Sequence, residues 1–142
     1  MKKAISVIAS AALLLGISAC DKEQKISDSL TGEWTITNMV KSVNGKDSTF
    51  TGGKTLLMRF DMCVDAGNTT CSVALTVKGD QIKDDLFYPM AYKLADETNL
   101  TIYASDTTYY KIEEYKKDKL KLTGTTSDFS GTNNNIIEGT AK

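Results

Sequence analysis

Histidine is absent from the chain. That removes the commonest general base and the commonest nitrogen ligand of zinc, so neither a Ser-His-Asp nor a Cys-His nucleophile site can be assembled. No glycine-rich phosphate loop is present. Adjacent Asp84 and Asp85 point to opposite faces of any strand and cannot share a substrate. The cluster Asp61, Asp65 and Asn68 resembles an oxygen-rich calcium loop, but its spacing matches no EF-hand and the closing Glu is missing. These absences leave no catalytic residue, metal or cofactor to name, and the expectation is a protein that is not an enzyme. A surplus of either charge is also missing: 17 basic residues stand against 18 acidic ones, without the concentrated basic face that nucleic acid requires. The densest run, EEYKKDK at 113–119, mixes both signs and reads as a solvated turn.

The one long apolar run lies at the N-terminus. Lys2 and Lys3, followed by an apolar segment from Ala4 to Leu15, read as a secretory signal too short to remain as a membrane span. The run ends at Ile17-Ser18-Ala19-Cys20, which resembles the bacterial lipobox. That resemblance implies removal of residues 1–19 and acylation of Cys20 with chains such as palmitate, which anchor the mature protein. The following CDKEQK resembles the charged tether of outer-membrane and surface lipoproteins of Bacteroidota. The expected location is therefore the outer membrane, at the cell surface or its periplasmic side, although Asp21 in an enterobacterium would favour the inner membrane. Residues 20–29 are expected to form the lipidated Cys and a flexible tether, and residues 30–142 a single domain. Once Lys2 and Lys3 leave with the signal, 15 basic residues face 18 acidic ones, a net charge of −3.

With Cys20 committed to lipid, Cys63 and Cys71 remain as an even pair in an oxidising compartment, and a disulfide is expected. Closing this short loop contributes roughly 2.5 kcal/mol in the chain-entropy model.

Alternation of apolar and polar residues marks eight short strands. Trp34, Ile36 and Val40 share one face; so do Leu56, Met58, Phe60 and Met62, and then Val73, Leu75 and Val77. Five more follow, carrying Leu86, Tyr88, Met90, Tyr92 and Leu94; Leu100 and Ile102; Tyr110 and Ile112; Leu120 and Leu122; and Ile136. Turn-forming clusters separate them, among them NGKD at 44–47 and DAGNTT at 65–70. Pro89, inside one strand, must sit at an edge, a bulge or a break. If Met62 faces inward, Cys63 faces out while Cys71 is in phase with inward Val73, so an irregular end is expected around 63–71. The predicted fold is all-β, an eight-stranded antiparallel up-and-down barrel with little helix. Its large inward candidates suggest an interior filled mostly by its own side chains.

The stretch LTGEWTI, with Gly32 and Trp34, resembles the Gly-X-Trp start of lipocalins, and YYKIEEYKKDKLKL is similar to a late hairpin of the lipocalin-like domains of Bacteroidota lipoproteins. The resemblance implies a barrel floor plugged by Trp34. The Arg that covers this Trp in lipocalins has no match; Lys119 and Lys121 are the nearest basic residues. Two functions are expected. One is a membrane-anchored binding module for a small apolar ligand or a protein partner. The other, on a resemblance to the potempins, is a protease inhibitor presenting the stapled loop of Val64, Asp65, Ala66, Gly67, Asn68, Thr69 and Thr70. The triplets beginning at Asp28, Asp47 and Asp106 resemble the Bacteroides O-glycosylation pattern, making Ser29, Ser48 and Thr107 candidate acceptors.

Overall fold

The computed structural model describes residues 22–50, 54–79, 85–128 and 131–141. The signal segment, Cys20 and Asp84 lie outside the described residues. One helix, α1 at residues 22–30, precedes nine strands. These are β1 (Gly32–Val43), β2 (Lys46–Thr49), β3 (Lys54–Phe60), β4 (Cys71–Gly79), β5 (Leu86–Leu94), β6 (Asn99–Tyr103), β7 (Thr107–Lys116), β8 (Lys119–Asp128) and β9 (Gly131–Ala141). From β3 onward each strand pairs antiparallel with the next, and β9 returns to β1 to close the sheet. Closure covers most strand edges, with β5 left unpaired towards β6 over Leu86–Met90.

The ninth strand does not add a ninth wall. β3 pairs with the first half of β1, from Gly32 to Ile36, and β2 with the second half, from Val40 to Val43. The two are successive pieces along one flank of β1, so the barrel is eight-stranded, as the alternation predicts. Asn44 and Gly45 make the turn into β2 with φ of 51° and 75°, the left-handed pair that a two-residue hairpin needs. A bulge in β1 alters one expectation. Register against β9 shifts between Ile36 and Asn38, so the extra residue, Thr37, reverses the alternation. Trp34 and Ile36 are buried, and beyond the bulge Met39 rather than Val40 packs against the core. Pro89 pairs with Ala74 on one side, whereas β6 reaches β5 only from Ala91 to Leu94. The proline thus occupies an edge, where its missing N–H costs nothing.

The expected tether is a helix from residue 22. Ile26 and Leu30, four apart, lie on one face and are buried against the lower end of the barrel. Buried Ser27 hydrogen-bonds the Tyr92 hydroxyl at 3.0 Å, and Lys22 pairs with Glu97 at 2.6 Å. The helix then stops over a few residues. Both the N–H and the hydroxyl of Thr31 return to the Ser27 carbonyl, and Gly32 adopts φ 131°, which strains any residue with a Cβ. Trp34 donates its indole N–H to the Leu30 carbonyl at 2.8 Å. The Leu-Thr-Gly-Glu-Trp motif is therefore a helix-to-strand connector that lays the helix across the floor.

Above that floor the lower interior is solid. Phe60 and Tyr92 meet edge to face with ring centroids 5.2 Å apart, inside one cluster that includes Met58, Leu94, Leu120 and Leu122. Tyr110 has room only because residue 124 is glycine; a Cβ there would come within 2.5 Å of its ring. Burial pushes the Tyr110 hydroxyl up to about 12, against about 10 in an unfolded chain. Because the folded value is the higher one, the stabilisation is complete below pH 10 and is lost as pH rises towards 12. This loss amounts to roughly 2–3 kcal/mol. Urea unfolding from pH 9 to 12 should show it, and Tyr110→Phe should flatten the curve. Some loss should remain, because burial also raises the Tyr92 hydroxyl; an unchanged alkaline slope in the variant would contradict this assignment.

Candidate functional site

The end opposite α1 is open. There the inner walls of β1, β3, β4 and β5 enclose a cavity of about 600 Å³. Its sides are Met39, Leu56, Leu75, Val77 and Met90; Phe50, Leu86 and Tyr88 stand at its rim, with Ala104 and Ser105 of the β6–β7 turn opposite. Barrel tilt explains why the same strands fill one end and leave the other hollow. Strands of an eight-stranded barrel lean by roughly 35–45°, so one row of paired residues climbs as it passes round the wall. Trp34, Met58, Leu75 and Tyr88 are cross-strand partners in sequence, yet Trp34 is 3% exposed, Met58 2% and Tyr88 48%. The row starts in the floor and ends at the rim.

The expectation of a filled interior therefore holds for the lower half and fails for the upper. No sequence pattern distinguishes the halves, because all these residues share the inward phase. Shape and lining give the cup the character of a small-molecule site: concave, apolar, with few polar groups. A trough of about 740 Å³ lies on the outer face of β6–β9. It is bordered by Tyr109, Lys111, Thr125, Asn134 and Ile136 and lies outside the barrel wall rather than within it.

The cysteine pair forms the expected disulfide, with the Cα atoms 5.5 Å apart. β3 stops at Phe60, Met62 is 77% exposed rather than inward, and Cys63 is buried. The irregular end expected around 63–71 is present, and it resolves the phase conflict. The loop is not wholly free for a partner, however. Gln24 of α1 donates to the Cys63 carbonyl at 2.7 Å and accepts from the Ala66 N–H at 3.3 Å. Ala66 is 2% exposed and Gly67 lies beside the Glu23 side chain, which corrects the expectation that residues 64–70 all face solvent. Asp65, at φ 62°, accepts from the N–H groups of Asn68 and Thr69, while the Thr69 hydroxyl donates to the Val64 carbonyl. Only Val64, Asp65, Asn68, Thr69 and Thr70 are exposed. The stapled loop is a clasp on α1.

Other expected residues lie apart. Asp61 is held by Arg59 at 2.9 Å and Asp65 by the Asn68 amide at 2.8 Å; among the described residues no three potential ligands gather around a metal. Lys121 pairs with Glu138 at 2.8 Å, and the polar partner of the Trp34 indole is the Leu30 carbonyl at the end of α1. Ser29 sits on α1 with its hydroxyl bonded to the Lys25 carbonyl. Ser48 on β2 and Thr107 at the start of β7 are exposed.

No family model matches the chain, and no curated protein matches it in sequence. Solved structures do. A deswapped triple mutant of bovine odorant-binding protein superposes with a TM-score of 0.53 at 16% identity, over 80% of this chain and 74% of that one. Odorant-binding protein OBP1 gives 0.54 at 11% identity over 82% and 73%. The bovine lipocalin allergen Bos d 2 gives 0.53 at 16% over 82% and 74%. The fold is lipocalin-like. At these identities the similarity concerns the fold.

The clasp can be tested by removing it. Cys63→Ser with Cys71→Ser should cost roughly 2–3 kcal/mol in denaturant unfolding. Hydrogen exchange should accelerate in residues 22–30 and 61–71 more than in β7–β9. Uniform acceleration across the barrel would show that the loop does not hold α1.

Proposed function

We propose that the protein is a non-catalytic carrier that takes a small apolar ligand into the open end of its barrel. The single observation that carries this reading is the apolar cup of about 600 Å³ above a solid floor. Its size falls within the range of small-molecule sites, and its walls remove apolar surface from water at about 25 cal/mol per Å². The odorant-binding proteins among the similar structures are binders by name, which agrees with the reading.

We also propose that the carrier is a lipoprotein held at the outer membrane, of the Bacteroidota type, by acyl chains on Cys20. Support comes from the lipobox-like sequence. Only Asp21 separates Cys20 from α1, and α1 covers the closed end, so the anchor would hold the floor towards the membrane and leave the cup facing away. Among the described residues no helix is long and apolar enough to cross a membrane. Protease inhibition through the stapled loop has less support. Val64 is 80% exposed, but the loop is folded into turns against α1 and offers no extended segment to a cleft.

Two measurements test these readings. N-phenyl-1-naphthylamine, a neutral apolar probe, should gain fluorescence on binding the protein. Leu75→Trp, which fills the cup, should weaken that binding at least about tenfold, or ~1.4 kcal/mol, with the circular dichroism unchanged. Undiminished binding in the variant would place the ligand elsewhere. Labelled palmitate should enter the wild-type chain and not Cys20→Ala; no label in the wild type would end the anchoring proposal.

A further inference from the structure

The cup is shallow, and among the described residues that line it one carries a fixed charge. Along β5 its wall extends from Leu86 to Met90, four residue steps. At roughly 3.3 Å per residue and a tilt near 40°, that is a depth of about 10 Å. Below Met90, Tyr92 is fully buried and packs edge to face on Phe60. Core packing of this kind does not open for a methylene without a cost, so the floor is a hard stop. An extended alkyl chain of ~1.5 Å carbon–carbon bonds advances about 1.3 Å per carbon. The cup thus takes roughly eight carbons.

The charge is Lys54. It is in phase with inward Leu56, Met58 and Phe60 on β3, and it is the one ionisable side chain of fixed charge among the residues lining the cup. Among the described residues it has no ion-pair partner. Asp85, just before β5, is held by Lys78 at 3.3 Å. The Tyr88 and Ser105 hydroxyls are the other polar groups at the rim. An apolar cup of fixed depth, with an ammonium at its mouth that has no ion-pair partner among the described residues, is complementary to a short tail carrying one negative head.

We propose that the cup selects monoanionic amphiphiles whose apolar part is no longer than about eight carbons, the head lying against Lys54. This inference rests on the carrier reading and adds the ligand class. The test is displacement of N-phenyl-1-naphthylamine from the intact protein by straight-chain carboxylates from butanoate to hexadecanoate, each compared with its alcohol. Affinity should rise roughly fourfold per methylene as far as about nonanoate, whose tail has eight carbons, and then level off. Octanoate should exceed octan-1-ol by roughly threefold at low salt, the gain expected of one exposed ion pair. Lys54→Met should equalise the two.

A steady rise to hexadecanoate would overturn the depth limit. Equal binding of acid and alcohol by the wild-type protein would overturn the role of Lys54. The chain-length profile is read on the wild-type chain, so the depth limit is tested whatever the variant does. If the naphthylamine probe itself fails to bind, the carrier reading fails; if it binds and the series shows no plateau, only this inference does.

Discussion

A single hydrogen bond, from the Trp34 indole to the carbonyl of Leu30 at 2.8 Å, ties the floor of the barrel to the helix that closes it. The last carbonyls of any helix lack partners within the helix, and the connection from residue 30 to residue 34 supplies them in the space of one turn. Trp34 is also paired into β1, so the helix terminus and the first strand form one rigid corner. From this corner the rest follows. Ile26 and Leu30 reach the barrel interior, Ser27 meets the Tyr92 hydroxyl, and Gln24 is brought to the backbone of the stapled loop. The disulfide then does more than constrain the unfolded chain. It fixes the loop that grips the helix.

Closing one end so firmly determines what the other can do. An eight-stranded barrel is wide enough either to be filled by its own side chains or to hold one small molecule. This chain does each in one half. Large residues, Trp34, Met58, Phe60, Tyr92 and Tyr110, collect below, and smaller or flexible ones, Val77, Leu75, Met39 and Met90, line the space above. Gly124 is part of the same division, because it gives the Tyr110 ring the room to lie flat in the packed half. The open half carries its own cost, seen in the exposed Phe50, Leu86 and Tyr88 at the rim. Apolar residues left in water around a concavity are what an apolar ligand would cover.

Most of the wall was legible in the chain because period-two alternation is a direct consequence of half-burial. Leu56, Met58 and Phe60, or Tyr110 and Ile112, could be assigned to the core by phase alone. The failures each have a physical cause. β2 is missed because Lys46 to Thr49 are all exposed, so no apolar face exists to alternate. Val40 is misassigned because a bulge at Thr37 resets the phase without leaving a signature in residue type. Helix α1 is missed because nine residues with Ile26 and Leu30 as its buried apolar side chains look like a polar spacer until the barrel end that receives them is in place. The cup is missed for a different reason. Alternation says which residues point inward and nothing about their height along the axis, which depends on tilt and register.

The division of the interior into a packed floor and an open cup is the central claim, and its methionines report on both. With methionine methyls carbon-13 labelled, saturating the protein with an apolar ligand should shift the signals of Met39 and Met90, which line the cup. The signal of Met58, buried below them, should stay where it is. A shift at Met58 as large as that at Met90 would mean that the ligand enters the lower half and that the floor is not solid.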